Sequence, residues 1–423
     1  MAKPSKDFRG QGTSAEALVV VPPHMSLPEF KEQVAEEDAR IATPLLVPTP
    51  FKHRDLASVP RRGYLYGRHY IRRFLSGTVA AAGVGKSSLV IAEAVAMTSG
   101  RSLFGIQPIK PLRVWYWNGE DPLEEIVRRV EATCAHFGVA PIEIEGRLFM
   151  DSGRETEIII ASQTRAGAVI ATPVAEALID ALRRNQIDVL VVDPFVSTHR
   201  VTENDNMAID AVSKTFSRVA DAANCSIETV HHVRKTGGGE ATAEDGRGAS
   251  SHVAAARSVR VLNRMSEKEA EQAGVGEERR SYFRSDIDKA NLTPPSTKAT
   301  WFRLANVPLG NGSGGPIDDQ DYVGVATPWQ WPDAFAGVTV GDLRAVQRRV
   351  GGGRWRENSQ AKGWVGLAVA EAMNLDASNK AHRARIAAML KRWIESGALV
   401  IVEGLDDRRK PRSFVEVGTP ADD

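Results

Sequence analysis

The 423-residue chain is poor in the residues that would tie it to a disulfide-built or metal-built fold. It has two cysteines, Cys134 and Cys225, far apart, in no zinc spacing and no disulfide framework, which suits a reducing compartment. Aromatic residues make up only 6%. Neither sign of charge dominates: 54 Lys and Arg stand against 53 Asp and Glu, so any nucleic-acid contact has to come from local patches. No apolar run reaches the ~18 residues of a membrane span, and the start "MAKPSKDFRG" has no apolar signal segment. A cytoplasmic chain that is neither secreted nor membrane-bound is therefore expected. The length allows two domains.

What the sequence does hold is alternation. Residues 1–45 carry prolines and charges without periodicity and read as a disordered arm, with a short helix near "SLPEFKEQVAEEDARI". From residue 46 to 308, apolar runs such as "GTVAA", "RVWYWNGED", "IDVLVVDP" and "CSIETVHH" alternate with helical stretches of ten or more residues. That pattern means crossover units and an α/β domain with a mainly parallel, twisted sheet. The later runs "ARSVRVLNRM", "RSYFRSDI" and "KATWFRLAN" have shorter links, which leaves antiparallel pairing open. Residues 309–336, beginning "LGNGSGGPIDDQ", read as a linker. Over 337–418, two helical stretches and a hairpin with its turn at "LDDRRKP" suggest a small winged-helix-like α+β domain, followed by a tail at 419–423.

The chemistry concentrates in "AAAGVGKSSLV". Gly85, Lys86 and Ser87 fit the end of the phosphate-loop pattern G-x-x-x-x-G-K-[ST], with Ala80 where its first glycine should be. Backbone N–H groups over Ala82, Gly83, Val84, Gly85, Lys86, Ser87 and Ser88 would cradle phosphates at a helix start. Lys86 would reach the β- and γ-phosphates of ATP, and Ser87 would ligate Mg²⁺. Asp193, ending "IDVLVVD", is the candidate second metal ligand; the plainer alternative is an acid opening a turn before Pro194. Glu120 in "NGEDP" is the candidate base for the attacking water, against a helix-start acid favoured by the dipole. His232, at the end of "CSIETVHH", is the candidate contact to the γ-phosphate.

Taken in order, "AAGVGKSSL", "NGEDP", "VVDP", "CSIETVHHVRK", "GRGASSHVAAARSVRVL" and "DKANLTPP" resemble the RepA family of plasmid replicative helicases, within the RecA-like hexameric ATPases. The resemblance spans about residues 60–310 and implies a RecA-like P-loop core in a hexameric ring that hydrolyses ATP and moves on single-stranded DNA. It implies that Glu120 is the catalytic carboxylate and His232 the γ-phosphate sensor. It also implies that Arg257 is an arginine finger reaching the next subunit's site, that Lys289 is a basic residue of the same interface, and that Arg129 is a further family arginine.

Candidate DNA contacts are Arg200, Arg234, Lys235 and Arg247 in the loops after the Asp193 and His232 strands. In the C-terminal domain they are Arg408, Arg409 and Lys410 at the hairpin tip. Residues 338–417 hold 15 Lys and Arg against 9 Asp and Glu, and the second helix is expected to expose Arg383, Arg385, Lys391 and Arg392. The same layout suits protein docking, with replication proteins as partners. Two other classes keep the same site: an ATP-switched assembly factor (loader, recombination mediator or replication regulator) that does not unwind, and a transcription factor with a vestigial ATP site.

Overall fold

The computed structural model describes Ser26 and residues 47–165, 167–233, 240–242, 245, 249–294, 298–313 and 319–422. The arm read over 1–45 lies outside the described residues except for Ser26, and so do Arg234, Lys235 and Arg247. The chain forms two units, Met1–Arg61 and Arg62–Asp423. In the first, residues 47–61 are exposed, and Leu56–Ser58 make one 3-10 turn.

The second unit runs β1 (Tyr64–Tyr66), β2 (Tyr70–Ile71), β3 (Leu75–Ala80), α1 (Lys86–Ser99), β4 (Val114–Asn118), α2 (Leu123–Phe137) and β5 (Leu148–Ser152). It continues with β6 (Ala161–Thr164), β7 (Gly167–Ile170), α3 (Thr172–Arg184), β8 (Val189–Asp193), β9 (His199–Arg200), α4 (Asn206–Ala223) and β10 (Ser226–His232). Then come α5 (Ala249–Ala255), β11 (Ser258–Arg264), α6 (Glu267–Ala273), β12 (Tyr282–Ala290), β13 (Thr300–Pro308) and β14 (Tyr322–Trp329). The last elements are α7 (Val340–Gly351), β15 (Trp355–Arg356), α8 (Val365–Ala372), α9 (Lys380–Glu395), β16 (Leu399–Leu405) and β17 (Pro411–Val417).

A nine-stranded sheet has the order β14-β13-β12-β11-β3-β10-β8-β4-β5. From β11 to β5 every pair is parallel, and β12, β13 and β14 continue it antiparallel. The sheet is the mainly parallel one expected of a RecA-like P-loop core. Strand β11, which the short links left open to antiparallel pairing, runs parallel to β3 because α5 provides the crossover such a pair needs. Burial alternates along the strands with the two-residue period of the pleat. Val189 and Val191 of β8 join the core under α1 and α2, while Leu190 and Val192 join the core under α3 and α4. A strand buried on both faces has to be a continuous apolar run, as "VLVV" is. A small sheet, β7-β6-β9, lies alongside; the sequence reading assigned nothing to β6 and β7.

One stretch differs from its reading. Tyr322–Trp329, inside the segment read as linker, pairs with β13 as the sheet's edge strand. Its signal was masked by the Gly- and Asp-rich residues before it; Val325 and Ala326 are buried.

The C-terminal elements pack Val346, Val369, Ile386, Trp393, Leu399 and Val415 into a core of their own, backed by the sheet β15-β17-β16. Thr339 and Asp342 form a capping box at α7, and Asn379 caps α9 by accepting from Ala381 and His382 N–H. The start of α9 rests on the end of α6, and a Cβ on Gly274 would lie 2.6 Å from the Ala381 Cα. The expected exposure of Arg383 and Arg385 is not found: both are half-buried. Arg383 lies over the Trp364 ring and donates to the Ser359 carbonyl, and Arg385 donates to the carbonyls of Ala334 and Ala336. Lys391 and Arg392 are exposed, each near Glu395. No described helix is long and apolar enough to cross a membrane.

Under α1 the sheet carries a buried polar chain. Glu93 of α1 takes two bonds of 2.6 Å from Arg260 of β11 and one of 2.6 Å from the Tyr70 hydroxyl. Arg260 also donates to Thr78, whose hydroxyl donates to Glu228. Glu228 accepts from Ser76 and lies 2.9 Å from the His69 ring. Burial alone would raise the Glu228 carboxyl, but His69, Arg260 and Ser76 overcome it and hold it at about 2, against an ordinary 4.5. A carboxylate depressed in this way stabilises the fold above pH 4.5 and loses that contribution as pH falls toward 2. The wild-type protein should lose roughly 3 kcal/mol from this group over that window, and Glu228→Gln should flatten the acid limb of the urea-unfolding free energy. Arg260→Met, which strands Glu93 without its cation, should lower the unfolding free energy by about 3–5 kcal/mol in the same measurement at neutral pH.

Candidate active site

The turn between β3 and α1 holds the phosphate-loop residues at the C-terminal edge of the parallel strands, where α/β sheets bind ligands. Gly83 and Gly85 take left-handed backbone, φ 70° and 118°. At Gly85 a side chain would also crowd its neighbours, since its Cβ would stand 3.1 Å from the Phe283 ring and 3.3 Å from Leu304. Strands β12 and β13 thus buttress the loop from below, and Val84 anchors it in the same cluster. Ala80 is the last residue of β3, paired with His232 and Leu262. It lies in ordinary strand backbone, so nothing there needs a glycine, and the departure from the loop pattern is accommodated.

Lys86 is 4% exposed and folds back to donate to the carbonyls of Ala80 and Ala81, at 3.1 and 2.9 Å. Burial pushes its ammonium down to about 8, against the pull of Asp193 and Glu120. Asp193 ends β8, 3% exposed, and accepts from the Ser87 hydroxyl and, at 2.7 Å, from the Tyr116 hydroxyl. Burial raises its carboxyl, and the two hydroxyls and Lys86 pull it back. A hydroxyl and a carboxylate side by side, both oxygen donors, fit a hard cation such as Mg²⁺. The Ser88 side chain instead donates to the Gly324 carbonyl of β14, leaving only its backbone to the cradle.

Neighbouring strands complete the rim. In β4, Val114, Tyr116 and Asn118 share a face. Asn118 donates to the Tyr116 oxygen at 3.1 Å and accepts the N–H groups of Glu120 and Asp121 at 2.9 and 2.7 Å. This chain fixes the turn that carries Glu120, whose exposed side chain is raised by partial burial and by the charges of Asp193 and Asp121, while Lys86 lowers it. Gly119 is needed there, because a Cβ would lie 2.3 Å from that of Ser197. His232, next to Ala80, is held below its ordinary value by burial and then by the Lys86 charge. Arg129 pairs with Asp121 and Glu125, both at 3.0 Å, and steadies the start of α2.

Lys86, Ser87, Glu120, Asp193 and His232 thus come together at one edge. Arg257 and Lys289 do not join them. Arg257 is exposed just before β11, and Lys289 faces Val259 across the β11–β12 ladder, at the opposite edge. Strand register puts Arg257 about 16 Å along the sheet from Leu262, the partner of Ala80. Lys289 donates to the carbonyls of Val253 and Ala254, and its ammonium is lowered by burial and by Arg257. Arg200 is exposed and paired with Glu157 at 3.1 Å. Arg408, Arg409 and Lys410 are exposed at the β16–β17 tip, where Asp406 accepts the N–H groups of Arg408 and Lys410.

Three contributors escaped sequence reasoning. Tyr116 and Asn118 announce themselves only as polar residues alternating within an apolar strand. Arg264, at the end of β11, donates to the Gly83 carbonyl and sets a guanidinium against the phosphate loop of its own chain; nothing in its local sequence marks it.

A buried ammonium near 8 makes nucleotide binding pH-linked. Between pH 8 and 9 the free site holds Lys86 partly neutral, and phosphate restores its charge, so MgADP binding should take up a proton. Calorimetry in buffers of different ionisation enthalpy should show this uptake, fading below pH 7 and absent in Lys86→Met. A buffer-independent enthalpy at pH 8.5 would contradict it.

Residues 42–238 match the family model described as AAA domain, a P-loop ATPase family. With the loop, the acidic strand tip and the parallel sheet, that match makes this segment a nucleotide-binding ATPase core of the general AAA/RecA-like kind.

Proposed function

We propose that this chain works as a ring ATPase, a hexamer that binds single-stranded DNA and separates strands in replication of a plasmid, phage or integrated element. The observation that carries the reading is the position of Arg257 and Lys289: two cations at the sheet edge opposite their own phosphate cradle and out of its reach, as residues acting on another copy's triphosphate would be.

Within such a pocket Lys86 and the loop N–H groups hold the β- and γ-phosphates. Ser87 and Asp193 would hold Mg²⁺, which would supply charge neutralisation to the phosphates. Glu120, its carboxyl raised, is suited to orient the attacking water and accept its proton. His232 meets the γ-phosphoryl and registers its loss, beside the roots of the loops after β8 and β10. Arg257 and Lys289 of the neighbouring subunit stabilise the charge that develops during transfer, an effect worth on the order of 10³–10⁵ in rate. DNA phosphates follow Arg200, with Arg234, Lys235 and Arg247 of the second loop, and the hairpin tip of the C-terminal domain. Its order helix–strand–helix–helix–strand–strand supports the winged-helix-like reading.

One observation favours the second reading, an ATP-switched assembly factor. Arg383 and Arg385, on the helix that would enter a groove, are spent on backbone carbonyls, and that helix abuts α6 of the core. A forked-duplex assay separates the two. Strand release that needs ATP, and that Glu120→Gln slows by about 10²–10⁴ while nucleotide affinity is kept, is expected for the motor. DNA-stimulated hydrolysis without release would assign the chain to the switch.

A further inference from the structure

At the edge of the sheet where β4 and β8 begin, away from the phosphate loop, a half-open cavity of about 510 Å³ is lined by five cations, Arg72, Lys110, Arg113, Arg147 and Arg183. Asp188 is the one carboxylate among its described lining residues, and it is already satisfied, by Arg72 and by the Arg113 N–H at 3.0 Å.

The arginines are held in place from behind. Arg72 donates to the Asn224 carbonyl at 2.7 Å, and Arg113 donates to those of Asn185 and Gly146 at 2.6 and 2.9 Å. Arg147 donates to the Glu143 carbonyl at 2.9 Å, and Arg183 to the Ala222 carbonyl at 2.8 Å. Capping chain and helix ends explains part of each side chain, and the carbonyls there offset some positive charge. It does not explain the convergence. A guanidinium has five N–H donors, and these bonds occupy one or two of them. What is left is a set of fixed donors around one cavity, with Lys110 exposed at its rim. Fixed forks lose little entropy on meeting an anion.

We propose that this cavity is a second anion site, separate from the ATP cradle, that binds a chain of phosphoryl groups. Five cations against one spent carboxylate call for a ligand with several negative charges, and fork-shaped donors match phosphate oxygens. The volume suits a triphosphate-sized chain. No aromatic ring is among the described lining residues, and the nearby ring, Phe149, is covered by Arg113 at 4.9 Å. The phosphoryl groups come either from a free oligophosphate or from the backbone of a single nucleic-acid strand.

The test is calorimetric titration of the full chain, its ATP cradle saturated with MgADP, with tripolyphosphate and separately with oligo(dT). Lys110→Glu and Arg147→Gln should each weaken binding by about tenfold, leaving the melting temperature and ATP turnover in the absence of DNA as in the wild type. Loss with tripolyphosphate alone assigns a free oligophosphate, and parallel loss with oligo(dT) assigns a nucleic-acid backbone. The site is refuted if the ADP-saturated protein binds neither, if both variants bind like the wild type, or if an oligoglutamate of equal charge binds as tightly as tripolyphosphate.

Discussion

The buried charge of Lys86 is the constraint around which the ATPase core is arranged. An ammonium withdrawn from water is costly unless carbonyls or an anion meet it, and here it rests on the Ala80 and Ala81 carbonyls, across from Asp193. Holding it requires the left-handed turn at Gly83 and Gly85, strands β12 and β13 pressed against the turn, and two strand tips tied by Tyr116 and Asn118. Phosphate can replace the carbonyls as partner. The stored desolvation of one lysine thus links the loop's geometry to its affinity for nucleotide.

The same sheet separates two kinds of positive charge. The cradle lies where the parallel strands end; Arg257 and Lys289 lie where β11 begins, and the five-cation cavity lies at the same edge, where β4 and β8 begin. The buried chain Glu93–Arg260–Thr78–Glu228–His69 crosses between the helix that follows the cradle and β11, the strand that Arg257 precedes. Such a network is rigid because its members are linked through buried hydrogen bonds and ion pairs, and breaking one link exposes the rest to an unpaired charge. In the ring reading, the strand that meets a neighbour's nucleotide is bolted to the helix that carries its own.

Much of this is legible in the sequence where local chemistry is strong. Gly85-Lys86-Ser87 at a helix start, the doubly buried run before Asp193 and the polar tip at His232 each carry a physical signature within a few residues. What stays hidden depends on contacts far apart in the chain. Strand β14 follows a Gly- and Asp-rich stretch and is a strand only because β13 offers an edge. Arg383 and Arg385 read as a basic helix face, yet tertiary carbonyls claim them. Arg264 meets Gly83 across 181 residues, and the five cations around Asp188 are gathered from stretches between Arg72 and Arg183. Local residue type identifies what a side chain can do; only the fold decides which groups it meets.

The central claim is that each triphosphate pocket is shared between two copies, one giving Lys86 and Glu120, the other Arg257. Mixing two inactive proteins tests it most directly. Lys86→Ala and Arg257→Ala should each be nearly silent alone, while an equimolar mixture should recover a measurable fraction of wild-type turnover. The recovered activity comes from pockets that pair an intact cradle with an intact arginine. A mixture as silent as its components, or an Arg257→Ala protein that turns over ATP at the wild-type rate alone, would contradict the account.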